Sequence, residues 1–171
     1  MTETGGSAAT SPPPRRSGSL QRVSAFLAER GLEDGLLDFG DRSTKTCELA
    51  ADAVGCDVGQ IVKSLVFVAD GKPVLALVAG DRRGDTEAIG ALLGASRVGF
   101  ADADTVRTAT GYAIGGVSPY DLPTSLTVLM DGSLGRFDTL YTAAGTPSSM
   151  VRIDRAVLFG LVGGRVAAIS R

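Results

Sequence analysis

Gln60-Ile-Val-Lys-Ser-Leu-Val-Phe-Val68, followed by Asp70-Gly71-Lys72-Pro73 and the run Val74 to Ala79, decides the class of fold. Two apolar, β-branched runs separated by a turn centred on Asp-Gly read as a β-hairpin. Both runs are almost continuously apolar rather than alternating, the mark of strands covered on two faces. Lys63 breaks that pattern. An ammonium embedded in such a strand must reach water, a carboxylate or a ligand, because leaving it buried and unpaired is costly. It can snorkel to solvent from the start of the strand, or it can serve a site.

Working outward, the C-terminal side continues with the charged loop Gly80-Asp-Arg-Arg-Gly84, whose Arg82 and Arg83 are either solvated or an anion-contacting edge. Asp85 or Thr86 then caps a helix that closes at Gly94. Further strands are expected at Arg97–Ala101, Ser125–Met130, Leu140–Ala143, Met150–Ile153 and Val166–Ile169. Asp102 and Asp154 cap two more helices. On the N-terminal side, Thr46 caps a helix from Cys47 to Val54 that stops at Gly55, preceded by a short strand, Leu36 to Phe39. Ser19 caps a helix with Leu20, Val23, Phe26 and Leu27 on one face. Met1 to Gly18 is built from Ser, Thr, Gly and Pro with nothing to bury, and is expected to be a disordered tail. Residues 19–171 form one domain. Irregular alternation of hairpins and helical crossovers predicts an α+β fold, a single mixed sheet of about seven strands curled towards a barrel and flanked by short helices.

Composition narrows the chemistry. The 171 residues are 44% hydrophobic and 21% charged, enough for a real core. No apolar run reaches the roughly 18 residues that span a bilayer, and no secretory leader is visible, so no membrane partner is expected and the cytosol is the expected compartment. There is no histidine at all. That removes Ser-His-Asp and Cys-His nucleophiles and His-ligated zinc, and the isolated Cys47 and Cys56 make neither a metal pattern nor a disulfide framework. No metal and no cofactor is expected. The net charge of −2 speaks against binding along a nucleic-acid backbone and leaves at most a local contact with a strand end.

A second stretch, Gly111-Tyr-Ala-Ile-Gly-Gly-Val-Ser-Pro119, packs three glycines and a proline into nine small or apolar positions. Glycine is the default where the backbone takes φ > 0 or lies close against another group. The stretch is either a buried tight turn or a loop that shows its backbone to a ligand. It follows a helix and lacks G-x-G-x-x-G, so it is not a dinucleotide loop.

Taken in order, Thr46-x-x-x-Ala50-Ala51, the strand around Lys63, Gly80-Asp-Arg-Arg83, the Gly-Gly-Val-Ser-Pro loop, Asp131 and Ala143-Ala-Gly145-Thr-Pro resemble the YbaK/prolyl-tRNA-synthetase-associated domain family over about Ser19 to Ser170. The resemblance implies a free-standing deacylase that hydrolyses the ester of a mischarged aminoacyl-tRNA, such as alanine or cysteine on tRNA for proline. Its partners would be the 3′ acceptor end and, in some cases, a synthetase. It implies that Lys63 lies near the terminal nucleotide and that the Gly115–Pro119 loop lends backbone groups, with amides near Gly115 and Gly116 holding water or the developing oxyanion. Thr46, Val117, Ser118, Pro119, Asp131 and Gly145 are the expected substrate contacts. Asp131 is also readable as a turn-forming Asp-Gly or as a partner for Lys63, Ser118 as a turn stabiliser, and Thr46 as a helix cap. Tyr112 can stack on a base or pack in the core. Two positions depart from the family pattern: Glu87-Ala88-Ile89 stands where many members carry a lysine, and Asp121 where glycine is common. A non-catalytic binding module of the same fold is the alternative reading.

Overall fold

The computed structural model describes residues 18–171. The tail expected over Met1 to Gly18 lies outside them except for Gly18, which opens the first helix. The elements are α1 (Gly18–Ala28), β1 (Leu36–Asp38), α2 (Cys47–Val54), β2 (Val62–Ala69), β3 (Lys72–Ala79), α3 (Thr86–Leu93), β4 (Val98–Phe100), α4 (Ala103–Thr110), β5 (Thr127–Asp131), β6 (Thr139–Ala143), β7 (Ser149–Asp154), α5 (Arg155–Val162) and β8 (Arg165–Ala167). Ser19 sits inside α1, not before it. Thr46, Asp85, Asp102 and Asp154 each accept a backbone N–H from the first turn of their helix, satisfying groups that no intrahelical carbonyl can reach. Helices α2, α3, α4 and α5 each stop at a glycine in the left-handed conformation.

The strands do not form the expected single curved sheet of seven. Eight strands among the described residues divide into two sheets, one of five in the order β4-β2-β3-β5-β8 and one of three in the order β1-β7-β6, and neither closes into a barrel. The division follows β5. Asp131 caps a 3-10 turn, Gly132–Arg136, that carries the chain out of the five-stranded sheet, and β6 then pairs with β7. In turn β7 pairs with β1, matching Val151 to Leu36 across most of the chain. Such long-range partners are not encoded in the local hydrophobic pattern that lists the strands. One backbone bridge, Ile61 to Tyr141, joins the sheets just before β2 begins, and strands of both contribute to the main core.

The hairpin of β2 and β3 is antiparallel, from Val62 opposite Ala79 to Ala69 opposite Lys72. β3 is buried on both faces: Leu75, Leu77 and Ala79 enter the main core with Leu20, Val23 and Leu27 of α1, while Val74, Ala76 and Val78 enter a second cluster with Ile89 of α3. The continuous apolar run is thereby explained. β2 is covered less evenly. β4 pairs with it only from Phe67 to Ala69, and the Ala101 amide adds one bond to the Val66 carbonyl. The earlier half of β2 therefore has an open edge.

Candidate functional site

The open edge of β2 forms a wall of a cavity of about 460 Å³. Its other walls come from both sheets and from two loops: Phe100 and Ala101 at the end of β4, Ala143 of β6 and Met150 of β7, Thr44 to Cys47 at the start of α2, and Ile114, Gly115 and Val117 of the glycine loop. The space thus lies where the two sheets diverge, a place that one continuous sheet would have closed. Its surface is mostly apolar; among the described residues, Lys45 and Lys63 are the charged ones that line it, and no carboxylate does.

Lys63 stands on the face of β2 that carries Leu65 and Phe67, where its Nζ donates to the Arg82 carbonyl of the Asp81-Arg-Arg83 loop. It makes no ion pair with Asp131. That loop is itself anchored by Asp81, whose two oxygens accept from the Arg136 guanidinium at 2.7 and 2.8 Å. The Arg136 bonds hold the Asp81 carboxyl below the usual range, against a smaller opposing effect of burial. Thr46 lines the cavity while its hydroxyl accepts from Leu49 N, so cap and wall are one residue. Next to it, burial pushes the Cys47 thiol up; the nearby Lys63 charge opposes this and Glu48 adds to it. Burial likewise raises Cys56 to about 11. Both sulfurs stay protonated near neutrality and are poor nucleophiles.

The glycine loop is held from behind. Tyr112 is fully buried, and its hydroxyl donates to the Tyr120 carbonyl across the loop at 2.7 Å; the Tyr120 hydroxyl meets Thr142 Oγ1 at 2.9 Å. Tyr112 is a packing residue and offers no free face. Gly115 takes a φ of +94°, and Lys45 lies over it. Gly116 presses on the turn after β6: a Cβ there would sit 2.9 Å from the carbonyl of Gly145 and from Thr146 N. Gly145, with φ +93°, presses in turn on Ser19 of α1. Gly116 and Gly145 are thus a stacked pair that sets how close the loop comes. The Gly116 amide is already used, donating to the Ala113 carbonyl at 3.1 Å, whereas no protein acceptor among the described residues engages the amides of Gly115 or Val117.

The structure therefore brings Lys63, Thr46, Gly115 and Val117 around one space, with Gly116 and Gly145 behind it. Ser118 and Pro119 are buried beyond the rim, where Ser118 Oγ accepts from Tyr120 N. Asp131 is elsewhere: at 2% exposure it accepts from Ser133 N and Oγ, Ile169 N and Ser170 Oγ, tying the C-terminal segment to the end of β5. Burial alone would raise its pKa; those hydrogen bonds prevail and hold it below the ordinary carboxylate range. Asp121 also avoids the cavity. It adopts the left-handed conformation that glycine would favour and pairs with Arg22 of α1 at 2.7 Å, so this departure from the family pattern acts on the loop's exit. Glu87 is exposed on α3 and Ile89 is core. Sequence reasoning passed over Lys45, Ser64 and Phe100. Ser64, a hydroxyl in an apolar strand, was open to notice; its enclosed Oγ has no hydrogen-bond partner among the described residues. Phe100 gave no signal, since its exposure arises from where β4 ends.

No helix among the described residues is long and apolar enough to cross a membrane, and no cluster there gathers three potential metal ligands. The sequence profile of the aminoacyl-tRNA editing domain matches residues 41–161. The uncharacterized protein YwhH of Bacillus subtilis (strain 168) is 32% identical over 136 residues, 79% of this chain and 85% of that one. The proline--tRNA ligase of Citrifermentans bemidjiense is 36% identical over 114 residues, 65% of this chain but 20% of the ligase. A crystal structure described as a candidate trans-editing enzyme for prolyl tRNA synthetase superposes with a TM-score of 0.83 at 37% identity, over 92% of this chain and 99% of that one. With that profile matched over most of its length, the chain is a member of the aminoacyl-tRNA editing domain family.

Proposed function

We propose that the chain is a trans-acting deacylase that hydrolyses the ester of a mischarged aminoacyl-tRNA, with alanine or cysteine on tRNA for proline as the first substrates to consider. The observation that carries this reading is a cavity whose described lining has two lysines, two unengaged backbone amides and no carboxylate. The described lining offers no anion to an α-ammonium, which a free amino acid and an aminoacyl ester share, so what separates the two ligands is phosphate. The acceptor end of a tRNA brings phosphates that Lys63 and Lys45 can meet.

With no histidine in the chain and no acid among the described residues lining the cavity, the general base is drawn from the substrate. An aminoacyl ester is already activated, so positioning and charge stabilisation suffice. Water adds its oxygen to the ester carbonyl carbon, and the vicinal ribose hydroxyl of the substrate places that water and relays its proton. The amides of Gly115 and Val117 hold the oxyanion. Collapse of the tetrahedral intermediate breaks the bond to the ribose oxygen, which takes up the proton and leaves a free amino acid and an uncharged tRNA. Lys63 orients the terminal phosphate or ribose, and the apolar walls receive the amino-acid side chain.

The test is a deacylation time course on tRNA for proline charged with alanine, cysteine, serine or proline, each beside Lys63→Ala. The expected result is rapid loss of a non-cognate ester that the variant abolishes. Flat traces with folded protein would favour the binding-module reading for these substrates.

A further inference from the structure

We propose that Phe100, with Ile114 beside it, is the platform on which the terminal base of the acceptor strand stacks. This rests on the deacylase reading for its ligand, while its binding test needs no turnover. Phe100 is the one exposed aromatic ring among the described residues, 69% exposed, and Ile114 is 58% exposed. Both line the cavity, so they stand at its mouth, whereas Leu49, Val157 and Val166, the other exposed large apolar residues, do not line it.

Phe100 is also held ready. It faces Phe67 across the β2–β4 pair, with ring centroids 4.7 Å apart and planes tilted by 35°. Phe67 is fully buried and fixes the inner side of the Phe100 ring, leaving the outer side to solvent. A ring pre-positioned in this way loses little side-chain entropy when a ligand covers it. Base-on-aromatic stacking tolerates any base and needs no hydrogen-bond code. The charges on the same cavity suit a base attached to a phosphodiester strand: Lys45 and Lys63 line it together with Phe100, and no carboxylate does among the described residues.

The chain contains no tryptophan, so Phe100→Trp installs a single indole reporter at this spot. Its emission is titrated with an uncharged RNA minihelix ending in a 3′ adenosine, and with the same RNA whose last residue is an abasic ribose. Saturable quenching by the first and about tenfold weaker binding of the second are expected. In deacylation, Phe100→Ala should raise KM about tenfold with kcat little changed, Phe100→Tyr should restore it, and Phe100→Leu should not. Equal binding of the two RNAs, or full activity in Phe100→Leu, would overturn the platform. So would emission that responds to protein concentration and not to RNA, since that marks contact between copies. Quenching without any deacylation would count against the deacylase reading and leave the platform standing.

Discussion

Lys63 and Asp131 are both lone charges at the ends of apolar strands in the five-stranded sheet, and they end in opposite conditions. Asp131 is buried, and Ser133, Ile169 and Ser170 direct hydrogen bonds at it. Lys63 is half-buried, and its ammonium, which has three protons to give, uses one on the Arg82 carbonyl. The difference lies in what the chain brings back. The C-terminal segment returns alongside β5 and fills the valences of Asp131; no segment among the described residues does so for Lys63, which is left facing the cavity. A charge in a strand becomes an anchor when its partners are supplied by the fold and a ligand site when they are not.

Replacing each residue separates the two roles. Lys63→Ala should cut deacylation by at least about 10²-fold, as removal of a positioned charge or donor commonly does. Its urea unfolding free energy should move by less than about 0.5 kcal/mol, as for substitutions away from buried networks. A variant that unfolds instead would make Lys63 an anchor as well.

Asp131→Asn should do the reverse, costing about 2–3 kcal/mol of stability by weakening charge-assisted bonds to buried donors, with activity per folded molecule kept. Because the folded pKa lies below the ordinary value, the carboxylate contributes in full above about pH 4 and loses that contribution as pH falls through the folded value. The acid limb of the wild-type stability profile should therefore flatten in Asp131→Asn, measured by urea unfolding between about pH 2 and 6. An unchanged limb would assign the acid sensitivity to other groups.

Gly116→Ala tests the wall between these extremes. The new methyl would sit 2.9 Å from the backbone of Gly145, so loop and turn must part. A cost of about 1–3 kcal/mol is expected, together with reduced turnover as the Gly115 and Val117 amides shift. Wild-type rates in a folded variant would remove those amides from the mechanism. The smallest effect is expected for Asp121→Gly, which relieves a positive φ but gives up a half-exposed pair with Arg22. The two nearly cancel, within about 1 kcal/mol by thermal melting.

Much of this protein is legible in its amino-acid order. The hairpin of β2 and β3, the caps at Thr46, Asp85, Asp102 and Asp154, and the glycine stops all follow from local rules, because each satisfies backbone groups within a few residues. The oddity of Lys63 and of the Gly111–Pro119 stretch was visible for the same reason, and the missing histidine restricted the chemistry before any fold was known. What the order of residues left open is whatever depends on distant partners. It cannot say that β7 pairs with β1 rather than extending one sheet, that Asp131 is claimed by Ser133, Ile169 and Ser170, or that the Gly116 amide is spent on Ala113 while its neighbours stay open. Phe100 reads as one more strand residue until β4 stops short and leaves its ring beside the gap between the sheets. Local periodicity determines which segments become strands and helices; the pairing of segments far apart in the chain, settled by which apolar faces bury one another, decides where a cavity opens and which polar groups remain free to meet a ligand.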